Sequence, residues 1–274
     1  MRLVPTLAIG LPLLACACSL FSPLDGFSDG NASNEGGGGA TDGGNAPVDG
    51  SHRGEQGGPT DEGTPWCATH AATATFCADF DERGLDTFDD QMLDNGALVV
   101  DEGTSRSAPS SLWATAGSRR ARVSAYAVKR VPGTVTRARV SFDVFVEGVH
   151  AEGAAEVVHL KFDRGDRNYT VGVGLGGGTR FAYAYEYSPS PDIYIDVVEG
   201  NPFPIATWVR ITLTADLTAR TVTFERDDEA GQATGPLAAP LSGGALALEV
   251  GIPRASTGEG AWKIRVDNVV LDAN

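Results

Sequence analysis

Residues 207–226 read TWVRITLTADLTARTVTFER, and this segment says most about the fold of the whole chain. Apolar residues alternate with polar ones over 209–213 and again over 222–224. Alternation with a period of two indicates strands that bury one face and expose the other to water. The polar residues around 216–219 separate the two runs. The segment therefore predicts an antiparallel β-hairpin.

Most of the chain beyond residue 66 has the same character. Runs of β-branched and aromatic residues alternate with turns rich in Gly, Pro, Asn and Asp, and no amphipathic pattern longer than two helical turns interrupts them. Besides the hairpin, strands are expected at 76–81, 97–101, 110–115, 121–128, 137–147, 155–163, 168–175, 180–187, 192–198, 245–251 and 261–271. This number of strands predicts an all-β fold over 66–274, a two-sheet antiparallel β-sandwich of the jelly-roll type.

The charge of the chain excludes some partners. The formal net charge is −15 at pH 7, from 36 acidic and 21 basic residues. A protein that binds nucleic acid needs a basic surface to neutralise phosphates, so no nucleic-acid partner is expected. The same balance argues against docking on anionic lipids through surface charge.

The first residues have the pattern of an export signal. Arg2 precedes an apolar run over 3–15 that is too short to span a bilayer. The run ends in LLAC at 13–16, which resembles the lipobox of bacterial lipoproteins. The resemblance implies a signal peptide over 1–15, a lipidated Cys16 and a membrane anchor in the bacterial envelope, with the outer membrane as the expected location. Cys18 is an alternative position for the lipid. The other alternative is an ordinary cleaved signal peptide without a lipid.

Residues 16–64 are expected to form a tether behind the lipidated cysteine. The segment is rich in Gly, Asp and Asn, and it has no aromatic residue after Phe27. Such a composition cannot bury enough apolar surface to offset the entropy of the chain. It predicts a flexible polar linker between the membrane and the folded domain.

Three segments of the domain resemble the concanavalin A-like lectin/glucanase superfamily, in its LamG-like jelly-roll form. They are CADFD at 77–81, the tryptophan-led hairpin that begins at Trp208, and IRVDNVVLD at 264–272. The resemblance covers 67–274. It implies a domain that binds a glycan or another envelope component without catalysis. The alternatives are a polysaccharide-active enzyme, either a glucanase-like hydrolase or a lyase, and a structural or adhesive domain without a small ligand.

Two motifs suggest chemistry and are set aside. YIDVVE at 194–199 partly resembles the active strand of retaining β-glucanases, but Tyr194 stands where a glutamate nucleophile is required. GVGLGG at 172–177 matches a dinucleotide fingerprint, but a strand pattern rather than a helix follows it. These glycines are better explained by a turn and by close packing within a sheet. No catalytic residue is therefore assigned.

Cys67 and Cys77 frame a short loop at the start of the domain. In an exported protein such a pair favours a disulfide over a metal site, because two cysteines without a histidine cluster cannot complete a zinc site. No cofactor is expected, apart from a structural calcium ion at the junction of the first and last strands. Its candidate ligands are Asp79, Asp81, Asp267 and Asp272. The favoured alternative is that these aspartates are solvated or pair with arginines such as Arg83 and Arg265.

An aromatic stripe is the best candidate for a ligand site. Alternation in FAYAYEY, 181–187, places Phe181, Tyr183, Tyr185 and Tyr187 on one face of a strand and two alanines on the other. Buried hydroxyls need partners, so a row of tyrosines suits a half-wet groove in which rings stack on sugars. The three tyrosines are the predicted ligand-binding residues, whereas the core is favoured for Phe181. The alternative is that the whole stripe fills the core.

Overall fold

A computed structural model describes residues 65–81, 84–117, 123–149, 153–163, 165, 168–177, 181–189, 192–229, 232–238, 242–256 and 261–274. Of residues 192, 193 and 195–201 it describes the backbone alone. The predicted signal peptide, the lipidation site at Cys16 or Cys18 and the tether lie outside the described residues. Within them, no helix is long and apolar enough to cross a membrane.

The described residues form one short helix and fifteen strands. The helix is α1 (Trp66–His70). The strands are β1 (Phe76–Ala78), β2 (Asp90–Asp94), β3 (Gly96–Asp101), β4 (Ser111–Ala116), β5 (Val123–Val135), β6 (Arg137–Gly148), β7 (Ala154–Asp163), β8 (Asn168–Gly176), β9 (Phe181–Pro189), β10 (Asp192–Pro202), β11 (Trp208–Asp216), β12 (Thr221–Arg226), β13 (Gln232–Pro236), β14 (Gly244–Ala255) and β15 (Trp262–Ala273).

These strands build two antiparallel sheets that pack face to face, which confirms the predicted β-sandwich. One sheet has eight strands in the order β13-β12-β11-β6-β15-β4-β3, with β1 also paired to β15. The other has seven strands in the order β10-β9-β8-β7-β14-β5-β2. Among the described strands, six of the thirteen pairs join strands that are consecutive in the sequence, and the other seven join strands from distant parts of it.

The hairpin at 207–226 is formed by β11 and β12, whose register runs from Ile211 opposite Arg226 to Asp216 opposite Thr221. The carboxylate of Asp216 accepts the backbone N–H of Ala219 at 2.7 Å and so closes the turn. The alternating apolar residues of both strands are buried between the sheets, as the period of two predicts. The prediction of this hairpin is confirmed.

The core lies between the sheets and consists of the inward-facing residues of both. Its largest fully buried side chains are Trp262, Tyr169, Phe142, Phe162, Leu112, Leu160, Ile211, Leu213, Leu246 and Leu248. Along β14, the buried residues Leu246, Leu248 and Val250 alternate with Ala247 and Glu249. Residues such as Glu249 therefore point to the outer face of the seven-stranded sheet, where the candidate site lies.

The predicted strand list differs from the structure in three places. β2 and β13 were missed, because both are edge strands with mostly exposed residues and show no alternation. β5 continues beyond the expected end at residue 128 to Val135. Its pairing with β14 is shifted between Val131 and Val135, and a proline is tolerated in a strand at such a bulge.

The disulfide Cys67–Cys77 is present, with an S–S distance of 2.03 Å. It joins α1 to β1, which pairs with the last strand, β15. The start of the domain is therefore held to its end, and the predicted disulfide is confirmed.

Candidate functional site

A trough crosses the outer face of the seven-stranded sheet. It consists of two adjoining cavities of about 430 and 500 Å³. The two cavities share Tyr126, Lys161, Asn168 and Glu249, and their lining residues come from all seven strands of the sheet. The cavity of about 430 Å³ extends over β7, β8, β9, β10 and β14 and is lined by Tyr185 and Tyr187 of β9. It is called the tyrosine end below.

One cross-strand row of residues forms the floor of the tyrosine end. Tyr185 of β9 lies opposite Gly172 of β8, which lies opposite His159 of β7, which lies opposite Glu249 of β14. Residues that are paired across a sheet share a face, so all four belong to the outer face. The register of the sheet alone therefore brings together four residues that are up to 90 positions apart in the sequence.

Gly172 leaves the space that the ring of Tyr185 needs to reach His159. The ring of Tyr185 lies across this glycine, and a Cβ added there would come within 2.6 Å of the ring. Because the space is free, the Tyr185 hydroxyl reaches Nε2 of His159 at 2.6 Å. A larger residue at position 172 would block this contact.

The same arrangement repeats along β8. The ring of Tyr183 lies over Gly174 and the ring of Phe181 lies over Gly176, in contact with the position that a Cβ would take. The alternating glycines of GVGLGG thus seat three rings against the backbone. Close packing within the sheet is confirmed as a role of this motif.

His159 is held between two carboxylates. Its Nδ1 is hydrogen-bonded to Glu249 at 2.7 Å, and its Nε2 is hydrogen-bonded to Glu156 at 2.9 Å. Each glutamate has a second cationic partner. Lys161 donates to Glu249 at 3.2 Å, and Arg254 lies 3.7 Å from the carboxylate of Glu156. Five side chains from β7 and β14 therefore form one connected network of charges around the histidine.

The network changes the protonation of its members. Burial lowers the pKa of His159, but its hydrogen bonds to Glu156 and Glu249 and the charges of both outweigh this, so the pKa is raised. Burial acts against the charged form of Glu249 as well, yet His159 and Lys161 hold its pKa below the usual range. Burial, followed by the charge of Glu156, raises the pKa of the Tyr185 phenol well above its usual value. The network thus favours the charged forms of His159 and Glu249 and the neutral form of the Tyr185 phenol.

The tyrosines of the stripe lie on the outer face, with Ala182 and Ala184 turned inward to the core. Tyr185 and Tyr187 line the trough, and Tyr183 contacts Tyr185 with a centroid distance of 6.0 Å. Only Tyr187 is exposed among them, at 37%. The placement is compatible with the groove interpretation, and ligand binding by these residues stays a prediction.

Phe181 corrects one expectation. It was assigned to the core, but it lies half-buried on the outer face, with its ring over Gly176 and 5.4 Å from the ring of Tyr183. Side chains at every second position of a strand point to the same face of the sheet, so Phe181 lies on the same face as the three tyrosines.

Tyr194 of β10 completes the aromatic wall. Its ring stacks on the ring of Tyr185, with a centroid distance of 5.3 Å and an interplanar angle of 21°. It is 48% exposed, so an aromatic face is available to solvent at the trough. The side chains of Asp196 and Glu199, which belong to the glucanase-like motif, lie outside the described residues.

Sequence reasoning missed the charged network. The polar residues His159 and Lys161 alternate with apolar ones on β7, and Glu249 does the same on β14. This pattern indicates that they face outward but not which strands are neighbours. Glu156 lies three positions before His159 and so breaks the alternation with a period of two. The cause is a register shift in β7 between Glu156 and Val158. Only the strand order, β8-β7-β14, brings these residues to the tyrosine stripe.

The four aspartates predicted to bind calcium lie at the expected junction, but they mainly serve the backbone. Asp267 accepts N–H groups of Arg106 at 2.8 Å and Ser107 at 3.0 Å. Asp79 accepts the N–H of Cys67, Asp81 accepts that of Ser110, and Asp272 lies 3.9 Å from Arg139. Burial raises the pKa of Asp267 to about 7.

Across the described part of the chain, no group of three or more His, Cys, Asp or Glu side chains is arranged to hold a metal ion. Of the arginines named as alternative partners, Arg265 pairs instead with Asp101 and Glu147, and Arg83 lies outside the described residues. The calcium site stays a prediction.

The architecture and the trough together define a protein with the concanavalin A-like jelly-roll fold, as the sequence resemblance implied. No protein-family model and no curated protein matches the sequence. Among solved structures, the chain is similar to an endo-β-1,4-glucuronan lyase from the fungus Trichoderma reesei, with a TM-score of 0.56 and 11% identity over 74% of this chain and 96% of that one. It is also similar to the cellulose-induced protein Cip1, with a TM-score of 0.53 and 11% identity over 73% and 97% of the two chains. At this identity the similarity shows the fold.

Proposed function

We propose that the trough on the outer face of the seven-stranded sheet binds a glycan chain. The observation that carries the proposal is the half-exposed ring of Tyr194, stacked on Tyr185 beside a row of polar and charged side chains. Sugars have apolar faces and hydroxyl-bearing edges, so they bind where an aromatic ring and hydrogen-bonding groups converge.

The dimensions of the trough suit an extended chain. Seven strands at the usual spacing of about 4.8 Å span roughly 29 Å. The trough crosses all of them and is open along its course. Several consecutive sugar units of a polysaccharide can therefore contact the floor at once. A ligand of this kind agrees with the expectation of a domain that binds a glycan in the cell envelope.

A second candidate function is cleavage of the glycan, and the contact between Tyr185 and His159 favours it. A neutral phenol 2.6 Å from an imidazole can donate a proton to the leaving oxygen of a bound glycan and be reprotonated through the histidine. In a β-elimination on a uronate, a base removes the proton next to the carboxylate, that electron pair forms the C=C bond, and the glycosidic oxygen leaves with a proton. One structural neighbour is a glucuronan lyase. Hydrolysis is less favoured, because Glu156 and Glu249 are both bound to His159.

Anchoring of the domain to the envelope is part of the same proposal. It rests on the apolar run at 3–15 and the lipobox-like residues 13–16. A lipid on Cys16 would keep the domain at the bacterial membrane, with the outer membrane as the expected location, and residues 16–64 would give it reach. A glycan of the envelope or its surroundings is then the natural ligand class.

Binding of soluble polysaccharides to the full chain tests the proposal. We expect Tyr194→Ala to reduce affinity by tenfold or more, because the exposed stacking surface is lost. Trp113→Ala is the matched control, since it removes an aromatic side chain from the eight-stranded sheet. Equal losses in both variants would contradict a site in the trough.

The products formed in the mixtures of protein and polysaccharide distinguish binding from cleavage. An elimination creates a conjugated C=C bond that absorbs ultraviolet light, whereas hydrolysis releases a reducing end without it. Appearance of this absorbance, and its loss in Tyr185→Phe, is the result expected of the second candidate. Stable polymer length in the presence of tight binding is the result expected of a non-catalytic domain.

A further inference from the structure

The charges at the tyrosine end of the trough differ from those of the rest of the protein. The whole chain carries a net charge of −15. Among the described side chains of the tyrosine end, two cations, Lys161 and Arg254, balance two carboxylates, Glu156 and Glu249, which flank His159. These side chains therefore lack the excess of acidic groups that the whole chain carries.

The carboxylates and the cations of the tyrosine end differ in their exposure to solvent. Glu156 and Glu249 are only 6% and 5% exposed. The side chains of Lys161 and Arg254 are 34% and 46% exposed. The negative charges are thus enclosed under the surface and bound to His159, while the two cationic heads reach solvent. What a ligand contacts is a guanidinium, an ammonium and the tyrosine rings.

The two exposed cations lie on opposite sides of His159. Lys161 follows the histidine on β7, and Arg254 lies opposite Glu156, which precedes it on the same strand. At about 3.3 Å per residue, the two positions are roughly 15 Å apart along the strand direction. One anionic chain can therefore place different charged groups near each cation, with Tyr185 and His159 between them.

The other end of the trough does not share this character. Asp90 and Arg130 pair there at 3.3 Å, and the carboxylate of Asp163 accepts the N–H of Gly165 at 2.8 Å. The groups at that end carry no excess of positive charge. Both partners of the Asp90–Arg130 pair are exposed, whereas the carboxylates around His159 are enclosed and their cationic partners reach solvent.

We infer that the ligand of the trough is a negatively charged polysaccharide, held by Lys161 and Arg254 on either side of Tyr185 and His159. This inference rests on the proposed glycan-binding function and specifies its ligand class. The charge of such a polymer comes from carboxylates or from sulfate esters. Arg binds both groups through paired N–H donors, and Lys binds both as a point charge. A neutral glycan would offer the two exposed cations no charge to bind.

The test compares polymers that differ only in charge. Affinity of the full chain is measured for a polyuronate and for the same polymer after reduction of its carboxylates to alcohols, at low and at moderate salt. A sulfated polysaccharide and its desulfated form make a second pair. We expect at least tenfold tighter binding to the charged member of one pair, with an affinity that falls as salt is added. The pair that shows the difference identifies carboxylate or sulfate as the charged group.

Single substitutions show which cations bind the charged polymer. Lys161→Gln and Arg254→Gln should each weaken binding to the charged polymer by about tenfold, which is typical of a lost charged hydrogen bond. Lys161→Arg should retain most of the affinity. Arg139→Gln removes an equally exposed cation from the outer face of the eight-stranded sheet and is expected to have no effect. Thermal unfolding of each variant verifies that it is folded.

The outcomes separate this inference from the proposed function. If the neutral polymers bind as tightly as the charged ones, and Tyr194→Ala weakens both, the glycan site stands and the inference of an anionic ligand is wrong. An equal effect of Arg139→Gln and Lys161→Gln would also overturn it, because general charge would then explain the binding. If no polymer of either kind binds, both the inference and the proposed function fail.

Discussion

Gly172 is the residue on which the site depends most, although it has no side chain. It lies between Tyr185 and His159 in the cross-strand row, and the absent Cβ is what lets the phenol reach the imidazole. The site therefore requires a residue type that contributes no functional group.

A methyl group at this position tests the role of the glycine. A Cβ at Gly172 would lie 2.6 Å from the ring of Tyr185, so Gly172→Ala must displace the ring. We expect unfolding by denaturant to show a loss of about 1–3 kcal/mol, the usual cost of overpacking. In a Tyr185→Ala background the ring is gone, and the same substitution should then cost close to nothing. Equal costs in the two backgrounds would contradict the account, because the two residues would then act independently.

The charges around His159 predict how stability varies with pH. The raised pKa of His159 means that its stabilising contribution is complete below its usual pKa of 6.5 and is lost as the pH rises through the higher, folded-state value. The lowered pKa of Glu249 acts at the other end, since its contribution is present above its usual 4.5 and is lost as the pH falls. Stability from this network should thus be greatest between these two values.

Denaturation of wild type and His159→Gln across this range checks the prediction. The wild type should lose stability as the pH rises above 6.5, and the variant should show a flatter profile there. Lys129, which pairs with Asp89 away from His159, offers a control in Lys129→Gln. A variant profile parallel to that of wild type would contradict the assigned role of His159.

The sequence indicated which side chains face outward on single strands, but not which strands lie side by side. The outward direction of Tyr185 follows from alternation alone. Its contact with His159, 26 residues away, depends on β7 and β8 being neighbours and on their register. Pair register is a property of the folded sheet, so this half of the site could not be derived from residue patterns.

At the scale of elements, strands that bury one face were predicted and strands that bury none were missed. β11 and β12 show clear alternation and lie where it placed them. β2 is exposed along its whole length and pairs with β5 at the edge of the sheet. An edge strand of this kind carries no hydrophobic signal, because its stability comes from backbone hydrogen bonds to a neighbour already in place.

The disulfide between α1 and β1 gives a prediction at the same scale. Replacing both Cys67 and Cys77 with serine opens a loop of ten residues and should lower the free energy of unfolding by about 2–3 kcal/mol. Urea denaturation of the double variant measures the change. Reduced wild-type protein should behave like the double variant. No difference between oxidised and reduced protein would contradict a stabilising role.

At the scale of the whole molecule, the two sheets enclose one core and leave two outer faces with different chemistry. The outer face of the seven-stranded sheet carries the tyrosines, the histidine network and the trough. The outer face of the eight-stranded sheet carries Trp113 and Trp208, which contact Glu147 and Phe145. This asymmetry makes the location of the ligand site testable, since each face has aromatic residues of its own.

The N-terminal segment gives a prediction that lies outside the described residues. If Cys16 is lipidated, bacteria that express the full chain with a labelled fatty acid should incorporate the label, and the protein should fractionate with membranes. Cys16→Ser should abolish both properties, whereas Cys18→Ser should leave them unchanged. Loss of label only in Cys18→Ser would show that Cys18 is the lipidated residue instead. Release of unlabelled wild-type protein from the cells would favour an ordinary cleaved signal peptide.

The central claim is that a glycan binds in the trough of the seven-stranded sheet, and the most direct test is to map the contact surface. Amide chemical shifts of the full chain are recorded while an oligosaccharide from the tightest-binding polymer is added. We predict that the changes concentrate on the outward-facing residues of β7, β8, β9 and β14, and are largest near His159 and Tyr185. Changes concentrated instead around Trp113 and Trp208, on the opposite sheet, would contradict the account.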